Sequence, residues 1–123
     1  MSAILGFLKI GHLYCEAYLE WVRSLACFFC HRAGPSEPHH HPPKKMGNAH
    51  TDDLRTVPVC RECHRRAHGD RVMSTYGMRP PIPPGEVAAA VDATFRRFWY
   101  EAPREVIAAV LTDLYAWREK RGI

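Results

Sequence analysis

The sequence lacks a hydrophobic run of the length that crosses a membrane. Its first apolar stretch, residues 4–8, is short, precedes Lys9, and has neither a basic start nor a cleavage site. We therefore expect no signal peptide and no membrane partner. Internal repeats are also missing, and the one low-complexity segment is a proline-rich linker, so a repeat architecture is not expected.

An even set of cysteines, typical of a secreted disulfide framework, is missing as well. The chain has five cysteines, and four of them form two C-x2-C pairs. This spacing favours metal binding in a reducing, cytoplasmic environment. The fifth, Cys15, is predicted to be a small buried apolar residue.

The cysteine pairs predict a structural zinc site. Two residues between paired ligands let both sulfurs face one ion, and 29 residues separate the pairs. Four thiolates leave no open position for water or substrate, so this zinc is expected to stabilise the fold. The predicted ligands are Cys27, Cys30, Cys60 and Cys63.

Histidines form a second group of candidate ligands. His64 and His68 are four residues apart and share one face of the short helix predicted over residues 61–68. Residues 39–41 are three histidines in a predicted strand, where neighbouring side chains point to opposite faces. One of them can face a metal while the next faces a substrate. Surface histidines and an adventitious metal-binding run are the alternatives.

Positive charge is concentrated around these ligands. Residues 27–79 carry nine basic and five acidic side chains, which accounts for the whole net charge of +4. A basic segment that also holds metal ligands suits a phosphate polymer. Three arginines on or beside the 61–68 helix are candidates for gripping phosphates, with a solvated helix face as the alternative. They are Arg61, Arg65 and Arg66.

Periodicity and proline positions predict the remaining organisation. Residues 12–25 have the pattern of an amphipathic, core-packing helix. Two further helices are predicted after the prolines, and their very short connection favours antiparallel neighbours. The predicted helices are 86–100 and 104–121, and the predicted domains are 1–79 and 80–123, the second beginning with the linker.

Between residues 18 and 69 the sequence resembles the HNH endonucleases, also called ββα-metal nucleases. The resemblance is carried by residues 18–24, the first cysteine pair, His39-His40-His41-x-Pro43, and the block from Asp53 to His68. It is closest to a phage and prophage branch that includes recombination-associated nucleases. It covers about half of the chain and does not reach the final helices.

The resemblance implies a role for each matching residue. His40 matches the family's general base. His39, where many members have Asp, and His64 match ligands of the catalytic metal, and His68 matches a further ligand of the nuclease colicins. The family's middle Asn is Arg55 here, which leaves open what orients His40. Asp53 is the first candidate for this role and Asn48 the second, and His50 is another residue that can belong to the site.

We therefore expect an α+β fold with a small ββα-metal core on a four-cysteine zinc knuckle, flanked by an N-terminal helix and a C-terminal helical hairpin. The expected activity is endonucleolytic hydrolysis of DNA, with structural Zn2+ and a catalytic Mg2+, Mn2+, Ni2+ or Zn2+. A recombination or packaging protein, and dimerisation through the C-terminal helices, are further expectations, in a bacterial or phage-infected cell. The alternatives are a non-catalytic zinc-dependent nucleic-acid-binding module and a structural zinc protein.

Overall fold

The structure, a computed structural model, describes residues 13–42, 53–120 and 122. The described part is mixed α+β, as predicted, with four helices and two small antiparallel sheets. None of its helices combines the length and apolar character that a membrane span requires. In chain order the elements are α1 Glu16–Arg23, β1 Glu37–His40, β2 Thr56–Val59, α2 Arg61–Ala67, β3 Val72–Ser74, β4 Gly77–Arg79, α3 Pro84–Glu101 and α4 Arg104–Lys120.

Strands β1 and β2 pair in an antiparallel register that places His39 opposite Val57 and His40 opposite Thr56. Every residue of β2 is buried, so this strand forms the inner side of the pair. Helix α2 starts directly after β2, with Cys60 as its N-cap. The order strand, strand, helix is the predicted one, and it brings the histidine strand next to the helix that carries His64 and His68.

Two apolar clusters form the core, and α3 contributes to both. Val87, Ala90 and Val91 pack with the buried cysteines and β2, whereas Phe98 packs against Tyr18 of α1. Burying several large side chains in this way contributes roughly 1.5–3 kcal/mol for each of them. The C-terminal helix α3 is therefore part of the same packing as the metal-ligand region.

The proline-rich segment before α3 lies against α2. Ile82 is buried, and its N–H donates to the Arg66 carbonyl oxygen at 3.0 Å. Arg66 Nε in turn donates to the Pro80 carbonyl oxygen at 2.7 Å. The division of the chain into domains 1–79 and 80–123 stays a prediction.

Helix α4 packs mainly on α1 among the described elements. It also meets α3, because Phe98 and Val110 belong to one buried cluster. The antiparallel pairing of the two C-terminal helices stays a prediction. The apolar face of α3 packs against β2 through Val91, and against α1 and α4 through Phe98. Ala102 is extended, with φ −70° and ψ 149°, and it lets the chain leave α3 in a new direction.

Helix α1 is shorter than predicted, and the structure contains a β-hairpin, β3–β4, that was not predicted. Residues 12–25 have helical periodicity, but Cys15 is extended, with φ −148°, and the helix begins at Glu16. Strands β3 and β4 pair with Met73 opposite Met78. Strands of three residues carry too little alternation to be recognised in a sequence.

Candidate metal centres

The first cysteine pair lies on a tight turn. The Cys27 N–H donates to the Arg32 carbonyl oxygen at 2.9 Å, and the His31 N–H donates to the Cys27 carbonyl oxygen at 3.0 Å. His31 has a φ of 63°, which turns the chain back after Cys30. The Phe28 N–H donates to the Pro58 carbonyl oxygen at 2.9 Å, so the turn is fixed to β2.

The second cysteine pair occupies the first turn of α2. Cys60 caps the helix, and its sulfur accepts a hydrogen bond from the Cys63 N–H at 3.4 Å. A helix N-terminus carries partial positive charge and unpaired N–H groups, which favour a thiolate there. The helix start therefore positions the two sulfurs close to each other.

The four sulfurs converge on one point and form a possible zinc-binding site. All four lie within 4.8 Å of one another, and Cys27, Cys60 and Cys63 are buried. Burial raises the pKa of Cys63, whereas backbone N–H groups of Cys30, Cys60 and Phe29 outweigh burial at Cys27 and lower its pKa to about 7. A divalent ion offsets the charge of several thiolates in one buried place, and four soft sulfurs are the donor set that suits Zn2+.

Three histidines from β1 and α2 form a second group. One ring nitrogen from each of His39, His64 and His68 lies within 4.8 Å of the others. The centre of the His39 ring is 4.6 Å from that of His68 and 5.1 Å from that of His64. A strand and the following helix thus bring together ligands that are 25 and 29 residues apart in sequence.

His39 has the features of a buried ligand. The side chain is inaccessible to solvent, and neither ring nitrogen has a hydrogen-bond partner among the described residues. Burial, with the nearby His68, His64, His41 and His40, lowers the pKa of His39 to about 3, so its imidazole is neutral and retains a lone pair. Buried polar groups without partners are rare and costly, and coordination of a metal ion would satisfy this one.

Glu37 orients one of the helix histidines, and the sequence did not reveal it. Glu37 Oε1 lies 2.7 Å from His64 Nδ1, which donates to it and leaves Nε2 with the lone pair. Carboxylates that accept from the second nitrogen of a ligating histidine fix its tautomer and the orientation of its ring. The available signal was that Glu37 precedes His39 by two residues and so shares its strand face.

His40 lies on the opposite face of β1 and contacts Asp53. Its Nε2 is 2.9 Å from Asp53 Oδ1, and Asp53 is buried. The other carboxylate oxygen of Asp53 accepts the Cys15 N–H at 2.7 Å, and its backbone carbonyl accepts the Thr56 hydroxyl at 3.0 Å. Asp53, the candidate named from the sequence, is therefore fixed on three sides and holds the His40 ring.

A family model described as "Protein of unknown function (DUF968)" matches residues 7–83. The chain belongs to the DUF968 family. The matched residues include both ligand clusters and end just before α3. No curated protein and no solved structure matches this sequence.

The remaining predicted residues of this DUF968 protein have varied positions. Arg55 donates from Nε to the His41 carbonyl oxygen at 3.2 Å and accepts the His41 N–H on its own carbonyl at 3.0 Å, so it braces the ends of β1 and β2. Asn48 and His50 lie outside the described residues.

The three arginines of α2 also differ in their surroundings. Arg66 donates to the Cys63 sulfur at 3.6 Å as well as to Pro80, so its side chain supports the cysteine cluster. Arg65 Nε is 3.7 Å from Asp70 Oδ2, and both side chains are largely exposed. Arg61 is exposed in the first turn of the helix. Arg61 and Arg65 are therefore better placed than Arg66 to meet a partner.

Proposed function

We propose that this DUF968 protein is a metal-dependent endonuclease of the HNH type that hydrolyses phosphodiester bonds in DNA. One observation carries the proposal. Adjacent residues of β1 serve two different groups: His39 faces His64 and His68, and His40 faces the buried Asp53. In this proposal β1, β2 and α2 are the ββα-metal core, and the cysteine cluster is its structural zinc site.

His40 has the surroundings of a general base. The Asp53 carboxylate can only accept a hydrogen bond, so the proton of a neutral His40 ring sits on Nε2 and the lone pair on Nδ1. A histidine imidazole can take a proton from water near neutral pH. Asp53 also stabilises the imidazolium that forms when His40 Nδ1 accepts this proton, because its negative charge lies 2.9 Å from the ring.

His39, His64 and His68 would hold the catalytic divalent ion. A bound divalent ion stabilises the negative charge that develops on a phosphate during hydrolysis. Three neutral imidazoles leave the positive charge of such an ion undiminished. His64 keeps its Nε2 lone pair available because Nδ1–H is held by Glu37, and His39 is kept neutral by burial. The donor set and its surroundings therefore fit the ion that the proposal requires.

Two features support DNA as the substrate. The net positive charge of the chain lies within residues 27–79, which include both clusters. Arg61 and Arg65 are exposed on the helix that carries His64 and His68, so they can contact phosphates beside the reacting one. Phosphate contacts of this kind position a nucleic acid without reading its sequence.

The test is a cleavage assay with supercoiled plasmid and single-stranded DNA, in which Mg2+, Mn2+, Ni2+ or Zn2+ is added in turn. The expected result is nicked or linear product with at least one ion, and no product from a His40→Ala protein that keeps its fold and metals. Protein that binds DNA but cleaves with none of the ions would instead be the zinc-dependent nucleic-acid-binding module, and the enzyme proposal would be abandoned.

A further inference from the structure

The β3–β4 hairpin carries three exposed apolar side chains that the proposed chemistry does not use. Tyr76 is 96% exposed, Met73 66% and Met78 56%. Met73 and Met78 are directly opposite each other, so their side chains share one face of the hairpin. Tyr76 lies in the turn between the strands. Two methionines and a tyrosine thus form a single apolar tip.

Local hydrogen bonds fix the shape of this tip. The Ser74 hydroxyl donates to the Gly77 carbonyl oxygen at 3.0 Å and accepts the Tyr76 N–H at 3.2 Å. Gly77 has a φ of +108°, a conformation that residues with a Cβ rarely adopt. The turn therefore holds Tyr76 outward in a fixed geometry, which reduces the entropy lost when the tip binds a partner.

The end of the hairpin away from its turn is attached to the helix that carries the histidines. Val72 is buried, and β3 packs against α2. The connection is short: the Gly69 N–H donates to the Arg66 carbonyl oxygen and the Asp70 N–H to that of Arg65, both at 3.1 Å. The hairpin thus follows directly from α2 and packs against it, so it is attached to the same helix as the histidine cluster.

The charge around the hairpin suits a nucleic acid. Residues 61–79 contain five arginines and two acidic residues, and one of these, Asp70, already faces Arg65. Arg71 precedes β3, and Arg79 ends β4 opposite Val72. Arginines bind phosphates, methionines are among the side chains that insert between base steps, and tyrosines stack on exposed bases. The hairpin combines these contacts, because its tip is apolar and arginines lie where its two strands begin and end.

We infer that the β3–β4 hairpin binds unstacked bases of the nucleic acid held at the histidine cluster, with Tyr76 stacking on a base and Met73 and Met78 packing beside it. The substrate class is then DNA with unpaired or unstacked bases, such as single strands, gaps and branch points, in preference to a perfect duplex. This inference rests on the proposed function, since it assigns the form of DNA that the same site receives.

The test compares Tyr76→Ala and the double variant Met73→Ala/Met78→Ala with the wild type. The control is Tyr115→Ala, which removes a tyrosine that is 59% exposed on α4. Dissociation constants are measured by fluorescence anisotropy for a single strand, a gapped duplex and a perfect duplex, without added catalytic metal. Loss of stacking on one base should weaken binding of the single strand by about 5- to 150-fold for Tyr76→Ala, and the control should match the wild type.

The perfect duplex should lose much less affinity, and a 2-aminopurine placed in the gap should change its fluorescence on binding to wild type but not to Tyr76→Ala. Unchanged affinities for every DNA, or equal losses on single strand and perfect duplex, would overturn the inference. Normal cleavage by these variants would leave the nuclease proposal standing. Absence of DNA binding by the wild type would remove both. A concentration-dependent mass that Tyr76→Ala abolishes, with unchanged DNA affinity, would make the hairpin a self-association surface and would overturn this inference alone.

Discussion

The cysteine cluster and the histidine cluster each take two ligands from α2 and its caps, Cys60 at the start and His68 at the end, but their surroundings differ. Cys60 and Cys63 lie at the start of the helix and face an apolar cluster of β2 and α3. His64 and His68 follow directly, where His64 is partly exposed and His68 is exposed. One short helix therefore supplies a closed site with four soft ligands and a more open site with three imidazoles. Ligand number and access to solvent, not proximity in sequence, separate a structural role from a chemical one.

The two clusters also differ in the polar groups that surround their ligands. Around the cysteine sulfurs, backbone N–H groups lower the pKa of Cys27, and the Arg66 guanidinium donates to the Cys63 sulfur. Carboxylates accompany the histidine side: Glu37 holds His64, and Asp53 holds the neighbouring His40. Carboxylate partners fix the tautomer and the ring orientation of an imidazole, which benefits a ligand or a base. Variants of each cluster should therefore fail in different ways.

The largest effect is expected for Cys63→Ser. The sulfur is fully buried, and metal binding at such sites is coupled to folding, so the variant should lose both zinc and cooperative structure. Zinc content by elemental analysis and thermal unfolding by circular dichroism measure this. Cys15→Ala is the control, because Cys15 is equally buried but lies outside the cluster. Cooperative unfolding of Cys63→Ser at the wild-type temperature would contradict a structural role for the cluster.

His40→Ala should lower the turnover rate by about 100- to 10,000-fold, since this is the usual contribution of a general base. The fold, the cysteine-bound zinc and the second metal should be retained, because His40 lies on the strand face away from His39. Plasmid cleavage rates with metal content determined in parallel provide the measurement. His41→Ala is the matched neighbour. If His41→Ala is inactive but keeps both metals while His40→Ala remains active, the general base is His41 and not His40.

Glu37→Gln should weaken the second metal by about 10- to 100-fold, as is typical for loss of a carboxylate that orients a ligating histidine. The amide preserves the size of the side chain but removes the charge 2.7 Å from His64 Nδ1. Calorimetric titration of zinc-loaded protein with Ni2+ or Mn2+ reports the affinity. Glu20→Gln, an exposed change of the same type on α1, should have no effect. Equal affinities in all three proteins would show that Glu37 is only a surface partner.

The smallest effect is expected from Arg61→Ala combined with Arg65→Ala. Each lost phosphate contact should reduce the slope of log binding constant against log salt by about 0.9 on duplex DNA. Arg66 is left in place because its guanidinium supports the Cys63 sulfur. The control replaces Arg104 and Arg118 on α4. If the slope changes only in the control, the phosphate-binding surface lies on the C-terminal helices.

Both ligand clusters could be identified from the sequence because their chemistry has a local signature. The C-x2-C pairs and the four-residue spacing of His64 and His68 each follow from the geometry of a turn or helix. Strand alternation also separated the faces of His39 and His40. The mixed α+β fold followed from the same elements, and the structure confirms it.

Other features depend on contacts between distant segments, which cannot be predicted from a single sequence. Glu37 contacts His64 only because β1 lies beside α2. Asp53 accepts the Cys15 N–H, so Cys15 is not part of the helix and α1 begins one residue later. The β3–β4 hairpin is too short to show a period. The packing of α4 on α1 was not predicted, because a short connection indicates only that α4 follows α3 closely and not which other helix it contacts.

The separate roles of the two clusters are tested most directly by counting metal ions in the double variant His64→Ala/His68→Ala. Wild-type protein in excess divalent metal should hold about two ions per chain, of which about one is a tightly bound Zn2+. The variant should keep the tight zinc and the wild-type unfolding temperature, while losing the second ion and DNA cleavage. A variant that unfolds with loss of both ions, or one that binds metal and cleaves DNA like the wild type, would contradict the separation.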